Sequence, residues 1–459
     1  MKSDNSETVQ SEPLGSSRLS DPEPGRPELG LWSATALVVG HTIGVGIFLT
    51  PAELIGALGS PALTFGLWLV CGALMLAGSL TFGELARRFP QDGGPYVYLR
   101  QAWGERASFL YGWQSLLIMD PGVTAALALG LAQYLVVLRP AAAGSERWLA
   151  LGAVWALALV NMAGLRVSAR LLNFLTAIKV LALAAISVAA LTIGAGSWSH
   201  FLPFAGRRPG APPIGEALAL GLVAVFYSFG GSWEASRVAG EMRDPRRQLP
   251  RALALGVTAV TAAYMVTTMA FLYLVPSGQA TSAAAFARNA GEALLGAKGP
   301  AVFASVVILS VAASAMALLL MAPRLYLAMS RDGVFPAALA AVHPVTKAPV
   351  RATALLAAIA SVFALSGTFP QVVAFFLCTT LGFIALAAAG LFVIRRREPD
   401  TGGFRTPGYP VTPALFVLFL VAVILLVAVA RPLPALAGFA LVLLGLPAYA
   451  VLKAREEKA

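Results

Sequence analysis

The sequence predicts an all-α integral membrane protein. Of its 459 residues, 58% are hydrophobic and only 12% are charged, whereas a soluble protein carries about 25% charged residues. Apolar runs long enough to cross a bilayer recur from residue 31 to residue 452. Together these observations exclude a string of soluble domains, a disordered chain and a small disulfide-stabilised fold.

Twelve apolar runs are expected to form transmembrane helices, because about 20 residues are needed to span the hydrocarbon core. Residues 1–30 precede them, are polar, contain no apolar signal segment and predict a disordered cytoplasmic tail. The membrane core is expected at 31–394, and the last two helices with a cytoplasmic C-terminus at 395–459. The runs lie at about 31–56, 61–84, 107–138, 147–163, 170–194, 215–239, 251–275, 300–330, 349–366, 370–394, 410–430 and 432–452.

The distribution of basic residues predicts which helix ends face the cytoplasm. With the N-terminus inside, 25 Lys and Arg residues fall in inner segments and 7 in outer ones. This imbalance follows the positive-inside rule and places both termini in the cytoplasm. We therefore expect a multi-pass protein of the plasma membrane, the inner membrane of a bacterium. The net charge of +11 is then a topology signal, and no nucleic-acid partner is expected.

Glycines interrupt the first and sixth runs at matching positions of two halves, 31–194 and 215–394, which would form inverted repeats. Such interruptions point to a substrate site at the midplane of a transporter. Unwound backbone offers N–H groups to a carboxylate and carbonyl groups to an ammonium. A close-packing face at Gly40 and Gly44 is the alternative for the first run alone. The interrupted stretches read Gly40-His41-Thr42-Ile43-Gly44-Val45-Gly46-Ile47-Phe48 and Phe226-Tyr227-Ser228-Phe229-Gly230-Gly231-Ser232-Trp233-Glu234.

These stretches resemble the amino acid–polyamine–organocation superfamily, most closely its L-amino-acid transporter and bacterial permease branch. The first stretch is similar to the family pattern G-x-I-I-G-x-G-I-F. The likeness covers roughly residues 30–430. Other matching segments, in the family's order, are Glu241, Asp244-Pro245, Arg247, Leu249-Pro250, Arg324-Leu325-Tyr326, Arg331-Asp332-Gly333, Phe335-Pro336, Arg395-Arg396-Arg397-Glu398-Pro399-Asp400 and Phe404-Arg405-Thr406-Pro407-Gly408.

The resemblance implies a LeuT-type fold with a 5+5 inverted repeat, discontinuous helices 1 and 6, two extra C-terminal helices and alternating access. It also implies that Tyr227 acts as a gate. The chain departs from the family pattern at His41, Thr42, Val45 and Ser232, with Trp233 one residue after the usual tryptophan position. The implied substrate-binding residues are Thr42, Ile43, Gly44, Val45, Gly46, Tyr227, Ser228, Phe229 and Gly230.

Four ionisable residues are assigned to the membrane interior of the runs, namely His41, Asp120, Lys179 and Glu234, where a charge costs at least about 2.5 kcal/mol. Lys179 resembles the fifth-helix lysine that replaces a sodium ion in sodium-independent relatives, with Ser314 as its expected hydroxyl partner. A structural cation, a snorkelling lysine and a proton carrier are the alternatives for Lys179.

Asp120 precedes Pro121 and is interpreted first as a local helix cap, with substrate pairing or proton relay as alternatives. His41, Trp233 and Glu234 are further candidates for substrate specificity or proton transfer. Acidic and basic side chains at the cytoplasmic helix ends, including Glu84, are interpreted as solvated loop charges in preference to gate salt bridges.

The expected function is sodium-independent secondary transport of L-amino acids, by uniport, exchange or proton symport. Neutral substrates are favoured because Val45, Tyr227, Phe229 and Trp233 suggest apolar walls. The alternative is a cationic amino acid or polyamine transporter or antiporter of the same fold. A channel is disfavoured because no filter-like loop is present, and an enzyme because no nucleophile–base pair is found within the runs.

No cofactor and no metal site are expected, because Cys71 and Cys378 lie in apolar runs and the three histidines are far apart. Animal members of the family bond to a heavy chain through a cysteine between the third and fourth helices. The corresponding loop from Arg139 to Arg147 has no cysteine. The expected partners are therefore an amino acid substrate and the lipid bilayer, without a covalent heavy chain.

Overall fold

The computed structural model describes residues 30–44, 46–91, 93–193, 196–276, 278, 283–346, 348–367, 369–398 and 402–456, and contains no β-strand in these ranges. The predicted tail, apart from Gly30, and Val45 lie outside the described residues. The α-helices are α1 (Leu31–Thr42), α2 (Gly46–Leu58), α3 (Pro61–Arg88), α4 (Pro95–Trp103), α5 (Glu105–Gln114), α6 (Asp120–Leu138), α7 (Glu146–Met162), α8 (Leu165–Thr192), α9 (Ile214–Phe229), α10 (Pro245–Leu274), α11 (Ala283–Leu295), α12 (Gly299–Arg331), α13 (Val350–Ser366), α14 (Phe369–Arg397), α15 (Val411–Ala430), α16 (Pro432–Leu443) and α17 (Gly445–Glu456).

Nine helical segments within the described ranges are long and apolar enough to cross a membrane, and each overlaps one of the expected runs. The other three runs fold as shorter helices: α1 with α2, α7 and α13. The protein is therefore a multi-pass membrane protein. The nine segments are Pro61–Arg88, Glu105–Leu138, Arg170–Thr192, Ile214–Arg237, Pro245–Leu274, Asn289–Arg331, Phe375–Arg397, Val411–Ala430 and Pro432–Ala454.

Glycine and proline determine where three of the expected runs, the first, third and sixth, are interrupted. The first run divides between α1 and α2, at Ile43 and Gly44. The sixth run leaves helical geometry after Phe229, where Gly231 has a φ of 91°, a value that glycine adopts without a Cβ penalty. Before Pro121, one turn is a π-helix spanning Ser115–Met119, because proline has no N–H and its ring clashes with the carbonyl group four residues earlier.

The packing of the helices brings the two interrupted runs together. Helix α2 packs on α9, α1 packs on α10, and α12 packs on α6, α8 and α1. The C-terminal helices α15 and α16 pack on α14 at the periphery. Their exposed apolar side chains, such as Val429 at 83% exposure, suit contact with lipid.

Glu84 at the end of α3 is fully buried, so its interpretation as a solvated loop charge is wrong. Its carboxylate accepts hydrogen bonds from Arg395 at 2.9 and 2.6 Å and from the backbone N–H of Thr406 at 2.7 Å. Arg88, one turn along α3, donates to it at 3.0 Å. This network ties α3 to the end of α14 and to the segment that leads into α15.

We expect Glu84→Gln to lower the stability of the protein by about 3–5 kcal/mol, because the change leaves Arg395 without a compensating buried charge. Glu105→Gln is the matched control: Glu105 is 55% exposed and its closest ion pairs measure 3.8 and 3.9 Å, so the cost should stay below about 1 kcal/mol. Thermal unfolding of the purified proteins in detergent measures both. Equal melting temperatures for the two variants would contradict the structural role of Glu84.

Candidate functional site

Both helix breaks open onto one cavity with about 760 Å³ of unfilled space, counting its open side. We call the interruptions of the first and sixth runs the first break and the sixth break. Helices α1 and α2 form the cavity wall at the first break, and α9 with the turn after it forms the wall at the sixth break. Helices α6, α12 and α14 complete the lining. The lining residues are His41, Thr42, Gly44, Gly46, Met119, Asp120, Val123, Leu127, Phe226, Tyr227, Ser228, Gly230, Gly231, Trp233, Glu234, Ser314, Leu318, Phe376, Leu377 and Thr380.

Lys179 satisfies the carbonyl groups that the first break releases. Its ammonium donates to the carbonyl oxygens of Gly40 and Ile43, the latter at 2.8 Å, and lies 3.2 Å from Ser314 Oγ. The side chain is 1% exposed, which rules out a snorkelling surface lysine. Lys179 on α8 thus joins the break to α12 through hydrogen bonds within the membrane.

Tyr264 on α10 links the first break to the sixth. Its hydroxyl oxygen lies 2.6 Å from the carbonyl oxygen of Ser228 and 3.0 Å from that of Thr42, so it can donate to either carbonyl. Helices α2 and α9 also approach closely at Gly46 and Ser228, where a Cβ built on Gly46 would lie 2.8 Å from Ser228 Cα. Glycine at position 46 therefore allows α2 and α9 to approach beside the cavity.

Asp120, Glu234 and Arg237, with Tyr111 and Tyr326, form a buried network that we call the Arg237 cluster. Arg237 Nε lies 2.6 Å from Glu234 Oε2, and its Nη1 lies 3.7 Å from Asp120 Oδ1. Tyr326 donates to Asp120 Oδ2 at 2.6 Å, and Arg237 donates to the Tyr111 hydroxyl at 2.8 Å. The cluster connects the segment after the sixth break with α5, α6 and α12.

Two sequence interpretations are wrong at this cluster. Asp120 is not a local helix cap, because its carboxylate reaches Tyr326, 206 residues away in the sequence. Arg237, counted among the 25 cytoplasmic basic residues because it lies near the end of the sixth run, is 6% exposed and paired with buried carboxylates. Around the two breaks, the formal charges of Lys179 and Arg237 therefore offset those of Asp120 and Glu234.

Most of the predicted site residues line the cavity, and three described ones do not. Ile43 does not line the cavity, and its carbonyl oxygen already accepts hydrogen bonds from Lys179 and Ser314. Phe229 is fully buried and packs against Trp68 and Tyr264 at centroid distances of 5.9 and 5.3 Å, so it is not a cavity wall. Lys179 itself lies behind the lining.

His41 and Trp233 lie on the cavity side of the two breaks. The Trp233 ring stacks on Phe226 with a centroid distance of 6.1 Å. Gly231 approaches the His41 ring so closely that a Cβ there would lie 2.5 Å from His41 Cδ2. Among the described residues, His41 Nδ1 and Thr42 Oγ1 are buried and have no hydrogen-bond partner.

Sequence reasoning missed Arg237, Tyr111, Tyr264 and Tyr326. For Arg237 a signal existed, since it follows Glu234 by three residues within the interrupted sixth run and could have been interpreted as an ion-pair partner. The three tyrosines carry no local pattern, because their hydroxyl partners lie on other helices. The described residues contain no group of three His, Cys, Asp or Glu side chains that could hold a metal ion.

Comparison with known proteins identifies the family of the chain. The sequence matches the profile of the family described as amino acid permease over residues 29–446. It is 28% identical to the human cystine/glutamate transporter over 428 residues, covering 91% of this chain and 84% of that protein.

Two further relatives show the same extent of similarity. The serine/threonine exchanger SteT of Bacillus subtilis is 27% identical over 394 residues, covering 85% of this chain and 88% of the exchanger. The human large neutral amino acids transporter small subunit 2 is 29% identical over 469 residues, covering 96% and 85%. These relatives are transporters and not enzymes. The chain belongs to the amino acid permease family of the amino acid–polyamine–organocation superfamily, as the glycine-interrupted stretches indicated.

Proposed function

We propose that the protein is a sodium-independent secondary transporter that carries neutral L-amino acids across the plasma membrane by alternating access. Its substrate would occupy the cavity between the two breaks, in contact with Thr42, Gly44, Gly46, Ser228 and Gly230. Tyr227, which lines the same cavity, would act as the gate. Uniport, exchange and proton symport are all compatible with this site.

The polarity of the helix ends around the cavity carries the proposal. Helix α2 begins at Gly46, and N–H groups in the first turn of a helix have no partners within it. Helices α1 and α9 end at Thr42 and Phe229 and direct their negative ends toward the same region. One positive and two negative helix ends around a cavity are complementary to the carboxylate and ammonium of an amino acid.

The contacts of Lys179 support sodium independence. Its ammonium binds two carbonyl oxygens and lies near one hydroxyl oxygen, and oxygen atoms of these kinds are ligands for a hard cation. A permanently tethered ammonium at this position would replace a sodium ion in holding α1, α8 and α12 together. Lys179 with Ser314 is therefore our candidate for the sodium-site substitute.

In the Arg237 cluster both carboxylates are paired with Arg237, and this pairing favours a neutral substrate over a cationic one. Asp120 and Glu234 both line the cavity, and an unpaired carboxylate there would attract a cationic side chain. Arg237 pairs with both carboxylates. The remaining lining is largely apolar or aromatic, as at Leu127, Phe226 and Trp233.

We extend the proposal to the architecture that the family resemblance implies. This architecture is a LeuT-type fold of twelve transmembrane helices, with inverted repeats at about 31–194 and 215–394 and two added helices in 395–459. Both termini would face the cytoplasm of a bacterial cell. Cys71 and Cys378 are buried in α3 and α14, so we propose that the transporter works without a disulfide-linked heavy chain.

Lys179→Ala should lower amino acid uptake into proteoliposomes by at least about tenfold. The change leaves the buried carbonyl groups of Gly40 and Ile43 without their Lys179 donor, and each unsatisfied group costs about 1–3 kcal/mol. Uptake of radiolabelled neutral amino acids, with sodium and with sodium replaced by choline, provides the measurement. Lys298→Ala is the control, because Lys298 is exposed. Full uptake by a folded Lys179→Ala variant, or wild-type uptake that requires sodium, would contradict the role of Lys179.

Arg237→Gln should change the substrate preference from neutral toward cationic amino acids by at least about tenfold, the change produced by 1.4 kcal/mol. The variant leaves Asp120 and Glu234 uncompensated beside the cavity. The ratio of lysine to leucine uptake measures the preference. Adding Glu234→Gln to Arg237→Gln restores the charge balance and should return the ratio toward the wild-type value.

A low ratio in both variants would show that the cluster does not select the substrate. A wild-type protein that itself prefers lysine would instead support the alternative, a cationic amino acid or polyamine transporter of the same fold. Size-exclusion elution and thermal unfolding identify variants that fail to fold.

A further inference from the structure

A second cavity, which the proposed transport function does not use, lies at the beginning of α10. It encloses about 1080 Å³, counting its open side. Four of its lining residues are arginines: Arg87 at the end of α3, and Arg246, Arg247 and Arg251 in the first two turns of α10. Gly402, Gly403 and Phe404 complete the lining. We call it the arginine cavity.

The wall formed by residues 402–404 is held in place by Arg87. Arg87 Nε donates to the carbonyl oxygen of Phe404 at 2.9 Å. Gly403 has a φ of 88°, and a Cβ there would lie 3.0 Å from Arg87 Cδ. Glycine at position 403 therefore allows the backbone to lie against the arginine side chain, so this wall is a packed part of the structure.

The other three arginines are exposed, and none of them forms an ion pair with a described residue. Two nearby carboxylates among the described residues are already engaged. Glu84 is bound by Arg88 and Arg395, and Asp244 caps α10 by accepting from the backbone N–H of Arg247. Like charges gathered around one cavity repel one another, so an anion between them would be favourable.

The length of the helices places the arginine cavity at the depth of lipid headgroups. Helix α10 has 30 residues and is about 45 Å long, whereas the hydrocarbon core is about 30 Å thick. About 15 Å of α10 therefore extends beyond the core, and its charged, arginine-bearing first turns are the end suited to water and headgroups. One turn after Arg251, Leu255 is 44% exposed, and Val266 further along α10 is 43% exposed, so this face of α10 is available to lipid.

We propose that the arginine cavity binds the phosphate group of an anionic phospholipid. Guanidinium groups form paired, charge-assisted hydrogen bonds with phosphate oxygens, and the positive end of α10 adds to the attraction. A lipid is favoured over free phosphate because the exposed apolar stripe below Arg251 provides a surface for its acyl chains. With the topology proposed above, the lipid belongs to the cytoplasmic leaflet. The lipid would bridge α3 and α10 through their arginines.

The test uses the full chain purified in detergent and titrated with phosphatidylglycerol or phosphatidylcholine, with bound lipids counted by native mass spectrometry. The variant carries Arg246→Gln, Arg247→Gln and Arg251→Gln. The control carries Arg106→Gln, Arg331→Gln and Arg351→Gln, three exposed arginines outside the arginine cavity with the same loss of charge. Arg87 stays unchanged because it holds the backbone at Phe404.

We expect the variant to bind phosphatidylglycerol more weakly by about fivefold per arginine, which corresponds to ~1 kcal/mol for each. The control should bind like the wild type, and phosphatidylcholine should bind weakly to all three proteins. Equal binding of phosphatidylglycerol by wild type and variant, or an equal loss in the control, would overturn the proposal. If inorganic phosphate alone displaced the lipid completely at millimolar concentration, the site would be a free-phosphate site and the lipid assignment would be wrong. If the triple variant unfolds, Arg251→Gln alone gives the same readout.

Discussion

The whole site depends on one constraint: backbone groups released inside a membrane need partners within the protein. Two long polar side chains meet most of this need at the breaks. Lys179 binds carbonyl groups of the first break, and Tyr264 lies between the carbonyl groups of Thr42 and Ser228. Each side chain comes from a continuous helix that passes beside a break, so unbroken helices stabilise the interrupted ones. The cavity is the volume that remains between them.

These supports also determine which parts of the site move together. Tyr264 contacts both breaks, and Gly46 and Ser228 are nearly in backbone contact, so the inner ends of α2 and α9 form one packed unit with α10. The Arg237 cluster instead connects the segment after the sixth break to α5, α6 and α12. A rearrangement that opens the cavity between these two groups of helices can leave the contacts within each group intact.

The sequence predicted the features that depend on neighbouring residues, and it missed the contacts between side chains that are distant in the chain. Glycines 44 and 46 and Gly230-Gly231 located both interruptions, because glycine lowers the cost of leaving a helix at those residues. Apolar length located the helices, since membrane thickness sets it. Asp120 was misinterpreted because a cap is judged from neighbouring residues, while its partners Tyr326 and Arg237 lie on other segments. Arg237 was misplaced for the same reason: counting loop charges assumes that an arginine near the end of an apolar run is solvated.

The balance of the four buried charges has an electrical consequence. Moving one elementary charge across a membrane at 100 mV involves about 2.3 kcal/mol. Lys179 and Arg237 together offset Asp120 and Glu234, so a conformational change that displaces these groups together moves little net charge through the field. A zwitterionic cargo adds none. The voltage across the membrane would then act little on uniport or exchange of such a cargo, whereas a proton carried with it would still respond to the field.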